Sequence, residues 1–407
     1  MLKSIMRKDR LFIRVAIGFF LGIILGFILP EIAIGTKIVG DIYLNLIKVM
    51  IIPIVFCAVC CGIANINDTS TLCRIGVKTV ALYVVMFIAS SIISLAVAYT
   101  IRPGLGITFS NTPVYEGELA NPTIASFFAN IVPTNIIQAA AEGNTLSVIF
   151  ITIVFSIAIV TCGKKAEPVL KLVNSLSDVV FKMLNIFMEV SPIGVMSLMA
   201  FSVAEYGAGI FTALGKYIFT AYLACILTFI LVMFLPVVIY TKVSPKKFLK
   251  VCGEISLVSL ATTSSAATLP TSINLSTKEL GAPENITKFT LPLGCTINMC
   301  GGACSFCCLA VFVTDFYNLH IGLNSMIILI LVATLLNMAA PGIPGGGIIL
   351  GASFLSIMGL PFDLMAPISA FYRLLDMAFT TINVEGDVAA NLLIAKSEKV
   401  WEGRAHE

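Results

Sequence analysis

The chain has 407 residues, of which 58% are hydrophobic and only 12% charged, with a formal net charge of +3 and one Trp against 27 Phe. A soluble domain of that length needs a far larger charged surface, and so small a net charge offers no electrostatic footprint for nucleic acid. A mean hydropathy of +1.02, with charges confined between long apolar stretches, describes a multi-pass membrane protein embedded in lipid.

Spans are expected at about 11–30, 37–64, 78–101, 145–162, 169–203, 209–241, 288–314 and 365–396. The first carries Arg14 and ends at Pro30 without a small-residue cleavage site, so it reads as a span and not as a cleaved signal. Segment 121–142 is apolar but broken by prolines, which predicts a short or interfacial helix. Lys3, Arg7, Lys8 and Arg10 precede the first span, and Arg74, Lys78, Lys164, Lys165, Lys242, Lys246, Lys247, Lys396 and Lys399 fall at alternate span ends. The opposite loops hold Glu31, Glu116, Glu118 and Glu205. The positive-inside rule then predicts both termini in the cytoplasm, and low charge, short loops and no evident targeting segment point to a bacterial cytoplasmic (inner) membrane. The cysteines sit within apolar helices, where they act as small apolar residues that let helices pack closely.

Residues 248–278 and 322–358 each have two apolar halves too short to cross about 30 Å of hydrocarbon at 1.5 Å per residue. Their centres, ATTSSAATLP and NMAAPGIPGGGI, carry helix breakers and small polar residues. Two re-entrant helical hairpins fit, each followed by a polar-striped span, as inverted repeats of a transporter. At the first tip, Thr263, Ser264 and Ser265 offer hydroxyls and free N–H groups to a carboxylate. At the second, residues 341–347 expose backbone carbonyls suited to a hard cation. Glycines at 294, 301 and 302 allow local unwinding of the seventh span.

The last span carries Asp376, Thr380, Asn383 and Asp387 at steps of four, three and four residues, one helix face. Carboxylates inside a span face a pathway or a binding site. Asp387 supplies the charge for a cation, Asp376 can hold a substrate ammonium, and Asn383 can donate to a carboxylate. Membrane enzymology is not indicated: the two histidines, His320 and His406, lie in a loop and at the tail, away from any paired nucleophile.

In these motifs the chain resembles the dicarboxylate/amino acid:cation symporters, the glutamate-transporter-like family, over essentially its whole length. The family's Asn-Met-Asp-Gly-Thr appears as Asn298-Met299-Cys300-Gly301-Gly302, and its second-hairpin Gly-Val-Pro-Gly as Gly342-Ile343-Pro344-Gly345. Its serine-rich first hairpin appears as 263–270, and its final-helix pattern runs from Asp376 to Asp387. The resemblance implies an all-α polytopic fold of eight transmembrane helices plus two re-entrant hairpins, a homotrimer of elevator-type transporters. Scaffold parts would be about 1–70 and 120–205, and mobile transport parts about 71–119 and 206–400, with the second hairpin as outer gate. It implies substrate contacts at Thr263, Ser264, Ser265, Gly302, Ile343, Gly347, Asp376, Phe379, Thr380 and Asn383. One cation site would use Gly294, Asn298, Asn383 and Asp387. A second, mostly carbonyls, would use Thr296, Asn337, Met338 and Ala340.

The departures bear on substrate and coupling. The family arginine that grips an acidic side chain falls at Phe379, and the motif threonine at Gly302. Asp376, the family's amino-group partner, remains. A Na⁺-coupled symporter of a small amino acid with a neutral side chain is therefore the leading expectation. Arg373, near the same face, keeps an acidic amino acid or dicarboxylate carrier, Na⁺ or H⁺ coupled, as the alternative. A non-transporting membrane sensor is a further one. A third family cation site would retain Tyr83 and Asn298 but meet Met86, Phe87 and Cys300, so it is expected to be lost. Glu385 points away from the stripe and is open to a proton-coupling or a packing role.

Overall fold

The computed structural model describes residues 11–64, 70–105, 129, 131–338, 346–361 and 364–401. Among them the regular structure is helical, with no strand. In chain order the helices are α1 (Leu11–Ile28), α2 (Pro30–Gly35), α3 (Lys37–Lys48), α4 (Ile51–Ala64) and α5 (Ser70–Ile101). Next come α6 (Ile136–Ala141), α7 (Thr145–Cys162), α8 (Glu167–Met188), α9 (Ser191–Tyr206) and α10 (Gly209–Thr228), which runs on through π turns to Thr241 around Pro236. The remainder are α11 (Pro245–Thr262), α12 (Ser265–Lys278), α13 (Glu284–Ile297), α14 (Cys300–Phe316), α15 (Leu323–Met338), α16 (Gly346–Met358) and α17 (Met365–Ser397). Among the described residues five helical stretches, some of them internally broken, are long and apolar enough to cross a membrane: 30–61, 74–101, 145–188, 209–241 and 284–316.

Several expected spans are interrupted, each for a physical reason. The span at 169–203 is α8 and α9, parted by a turn at Glu189-Val190. Glu189 accepts a 2.6 Å ion pair from Arg14 of α1, which balances the one charge within the first apolar helix. The span at 37–64 is α3 and α4, turning at Val49-Met50. Segment 121–142 includes α6, capped by Asn135 Oδ1, which accepts from the N–H groups of Ile137 at 2.9 Å and Gln138 at 3.2 Å. The expected interfacial helix at 121–128 lies outside the described residues.

Both hairpins keep their two-half form. α11 stops at Thr263, which lies in the left-handed region at φ 49°, and α12 starts at Ser265. A β-branched residue there costs about 1–2 kcal/mol, so packing around the tip must hold it. α15 has 16 residues and α16 has 13, about 24 and 20 Å long, both short of a bilayer's hydrocarbon. Their connection, 339–345, lies outside the described residues.

Two packing themes position the site. Gly18, Gly22 and Gly26 form one stripe of α1 pressed on α9. A Cβ at those positions would lie 2.2, 2.4 and 2.7 Å from the carbonyl oxygens of Pro192, Met196 and Ala200. Close backbone approach of this kind is how helices associate where lipid offers no hydrophobic drive. Elsewhere α17 sits at the centre of the second half, in contact with α10, α11, α13 and α14. Its far end is tied to α5 by Glu398, which accepts from Lys78 and, at 2.5 Å, from Arg74. Those two cations hold the Glu398 carboxyl below its ordinary range.

Candidate functional site

The site forms where α17 crosses the break between α13 and α14. At that break Asn298 and Met299 leave helical geometry, with φ/ψ of −86/102° and −123/57°. The unwinding frees backbone groups that an unbroken helix would consume. Asn298 fills the gap: its Nδ2 donates to Asp387 Oδ1 at 2.8 Å and to the Asn383 carbonyl at 3.3 Å. The Gly301 N–H at the start of α14 donates to Asn383 Oδ1 at 2.7 Å. Asn383 Nδ2 in turn donates to Met299 Sδ at 3.1 Å, a weak acceptor that a better one can displace.

Small residues let these groups meet. A Cβ on Gly294 would lie 2.3 Å from Asp387 Oδ1 and 2.5 Å from the Tyr83 hydroxyl, so only glycine fits beneath the carboxylate. Asp387 is 2% exposed, and among the described residues its one hydrogen-bond partner is Asn298, with no Lys or Arg in ion-pair range. A buried carboxylate so placed requires a cation or a proton. Asp376, Thr380 and Asn383 share its helix face and are 6, 5 and 7% exposed. Thr380 Oγ1 lies 3.4 Å from Asp376 Oδ1.

The first hairpin reaches the same helix. Ser264 caps α12, its Oγ accepting from the Ala267 N–H at 3.2 Å, which leaves the positive helix end at the tip. Arg373 Nη2 is 3.5 Å from the Thr262 carbonyl beside that tip, and it also feels the charge of Asp376. Ser259 and Thr381 hydroxyls are 2.9 Å apart. Ser256 donates to Glu385 Oε1 at 2.8 Å, so Glu385 is buried against α11 and not in the Asp387 stripe.

The remaining expected positions fall as follows. Gly347, at the start of α16, lies against α17: a Cβ there would be 1.7 Å from the Tyr372 hydroxyl. Phe379 is buried and its backbone packs on Gly301. Asn337 and Met338 end α15, with Asn337 fully buried and set over Gly302. Thr296 is exposed with its hydroxyl turned back to the Leu293 carbonyl at 2.9 Å, so it can offer only its own carbonyl inward. Ile343 and Ala340 lie outside the described residues. Around Asn298, Met86 and Phe87 are buried and Cys300 Sγ donates to Asn298 Oδ1 at 3.1 Å.

Two residues escaped the sequence reading. Tyr372, just described, sits one residue before Arg373. Asn391 extends the polar stripe by four more residues: it accepts from Thr290 Oγ1 at 2.9 Å and donates to Thr287 Oγ1 at 3.2 Å. Its spacing from Asp387 was visible in the sequence; its partners on α13 were not. Replacing Asn391 with Ala strands a buried hydroxyl, and the expected loss is about 1–3 kcal/mol. Thermal unfolding of the detergent-solubilised variant measures it, and an unchanged midpoint would remove Asn391 from the α13–α17 contact.

With the geometry in place, comparison with known proteins is direct. The profile described as the sodium:dicarboxylate symporter family matches residues 11–397. The chain is 30% identical to the proton/sodium-glutamate symport protein of Bacillus subtilis (strain 168), over 96% of this chain and 92% of that one. It is 31% identical to C4-dicarboxylate transport protein 2 of Mesorhizobium japonicum, over 98% and 90% of the two chains. It is also 31% identical to the C4-dicarboxylate transport protein of Rhizobium leguminosarum, over 97% and 89%. A chain helical throughout its described regular structure, with several apolar helices and a buried carboxylate at its centre, accords with these relatives. The chain belongs to the sodium:dicarboxylate symporter family, whose members are membrane transporters and not enzymes.

Proposed function

We propose that the protein is a secondary active symporter that couples inward cation flow, Na⁺ first, to uptake of a small amino acid with a neutral side chain. The observation that carries the coupling is Asp387, a buried carboxylate with a carboxamide partner and no basic side chain in range among the described residues. A co-transported cation neutralises it, with Asn383 and carbonyls at the α13–α14 break as further oxygen donors. Asp376 takes the substrate ammonium. The α12 N-terminus with Ser264 and Ser265 takes the α-carboxylate, and the second hairpin closes over both. The names of the relatives support Na⁺ or H⁺ as the driving ion.

For the side chain, Phe379 and Gly302 stand where an acidic substrate needs donors, and a carboxylate buried against them would lose its hydration without replacement. A second reading has its own support. The relatives carry glutamate and C4-dicarboxylates in their names, which favours an acidic substrate over a neutral one. The Arg373 guanidinium beside the Thr262 carbonyl then supplies the anchor. A third cation site is disfavoured, because Met86, Phe87 and the Cys300 thiol replace hard oxygen donors with carbon and sulfur.

Uptake into proteoliposomes under an imposed Na⁺ or proton gradient tests these readings together, with serine, threonine, alanine, cysteine, aspartate, glutamate and succinate as probes. Concentrative serine or alanine uptake that vanishes without Na⁺, with less charge moved per substrate than in full-motif relatives, is expected. Aspartate or succinate uptake instead would move the anchor to Arg373. No uptake under either gradient would remove the transport reading and leave a sensor.

We further propose a homotrimer of elevator-type protomers in a bacterial cytoplasmic membrane, with both termini inside. α8 supports self-association: Leu172, Leu176, Val179, Met183 and Ile186 are 42–67% exposed and follow steps of four, three, four and three. That 3.5-residue repeat suits a helix–helix seam better than an even lipid face. Beside it lies an apolar groove of about 460 Å³ lined by Met50, Phe56, Ile137, Leu176 and Met183. Native mass measurement of the solubilised particle should give three chains, reduced to one by Leu176→Asp with Val179→Asp. A wild-type monomer would refute the assembly.

A further inference from the structure

One buried polar atom beside the candidate site has no explanation in the packing of the described residues. Asn337, in the last turn of α15, is 0% exposed. Its Nδ2 donates to the Ala333 carbonyl at 2.6 Å. A carbonyl only accepts, so this bond fixes the carboxamide with its nitrogen toward the helix and its oxygen away from it. Among the described residues that oxygen, Oδ1, has no hydrogen-bond partner. It lies over Gly302, where a Cβ would come within 1.9 Å of it. Gly302 is half-buried and follows Gly301, whose N–H is held by Asn383 Oδ1 at 2.7 Å. The orphaned acceptor therefore lies beside the stretch of α14 that Asn383 and the Phe379 backbone of α17 also touch.

A buried acceptor without a donor is destabilising, and native structures rarely leave one so without a use. Asp376, two turns from Asn383 on the same face of α17, adds a negative charge to this neighbourhood of acceptor atoms. Such a wall repels a side-chain carboxylate and rewards a side-chain donor.

We propose that Asn337 is a specificity-determining residue whose Oδ1 accepts a hydrogen bond from the substrate's side chain, so that the preferred substrate is an amino acid bearing a hydroxyl or thiol. The inference rests on the neutral-substrate reading and narrows it. Gly302 is part of the same device, because any side chain there would take the place of the carboxamide oxygen.

Serine and alanine differ by the one hydroxyl at issue, so their relative uptake by proteoliposomes reads the contact. Wild-type protein should prefer serine by about tenfold or more, since a site built for a donor rejects the analogue that lacks it. Asn337→Ala should cut that preference to within about twofold of unity, because the acceptor is gone. Gly302→Ala, which pushes the carboxamide aside while keeping it, should cut it in the same direction, and carries the test should Asn337→Ala not fold. Wild-type protein that takes alanine as well as serine overturns the inference and leaves the neutral reading standing. So does a preference unchanged in both variants. A shift in Na⁺ half-saturation equal for the two substrates, with their ratio intact, would make Asn337 an ion-site residue and overturns it as well. Uptake of aspartate in place of both removes the inference together with the reading beneath it.

Discussion

The hydrogen bond from Asn298 to Asp387 joins the unwound centre of one membrane helix to the middle of another, and the rest of the site is arranged around it. It exists because α13 stops at Ile297 and α14 begins at Cys300. Were that stretch a continuous helix, its backbone groups would be spent internally and Asn298 would not bridge to α17. Glycine at 294 makes the carboxylate fit, and Gly301 supplies the N–H that holds Asn383. The bridge supplies one neutral donor to a buried carboxylate that has no basic side chain in range among the described residues.

Rigid and poised parts of the chain follow different rules. The α1–α9 contact is backbone against backbone through a glycine stripe, with Arg14 and Glu189 cancelling each other's charge. Such a contact has little freedom to slide. Around α17 the contacts are side-chain hydroxyls, thioethers and carboxamides: Ser259 to Thr381, Asn383 to Met299, Thr380 to Asp376. These bonds are exchangeable, which suits the opening proposed for these elements. Thr263 adds strain at the first hairpin tip, in a conformation that a threonine rarely adopts unaided.

Much of this was legible in the sequence. Four polar residues at helical spacing in an apolar segment fixed the face of α17, and helix breakers flanked by short apolar halves marked both hairpins. The family motifs placed Asn298, Gly294 and Asp387 at one site, and the structure brings those three together. Less legible were the turns at Val49-Met50 and Glu189-Val190, because hydropathy does not register a change of helix direction within an apolar run. Asn391 followed the stripe's own period but lay past the last motif position, and its meaning depended on Thr287 and Thr290 of α13. Tyr372 was invisible as a site residue, since an aromatic in an apolar helix reads as core. The Asn337 carboxamide was read only for its backbone carbonyl. The orientation of its side chain depends on a bond to Ala333 that no sequence pattern announces. The neutral reading of the pocket came from Phe379 and Gly302, whereas the relatives' named substrates are acidic; two substitutions at a site weigh differently from 30% identity across a chain.

The most direct measurement concerns the charge at the centre. Purified protein in detergent is melted with increasing NaCl against equimolar choline chloride, for wild type and for Asp387→Asn. A cation bound only by the folded state raises stability by about 2.7 kcal/mol at a hundredfold excess over its dissociation constant. The wild-type midpoint should therefore climb with Na⁺ and the variant's should stay flat, starting higher because a buried carboxylate has been neutralised. Equal Na⁺-dependent shifts in the two proteins would mean that the cation does not sit on Asp387, and would contradict the coupling proposed for this site.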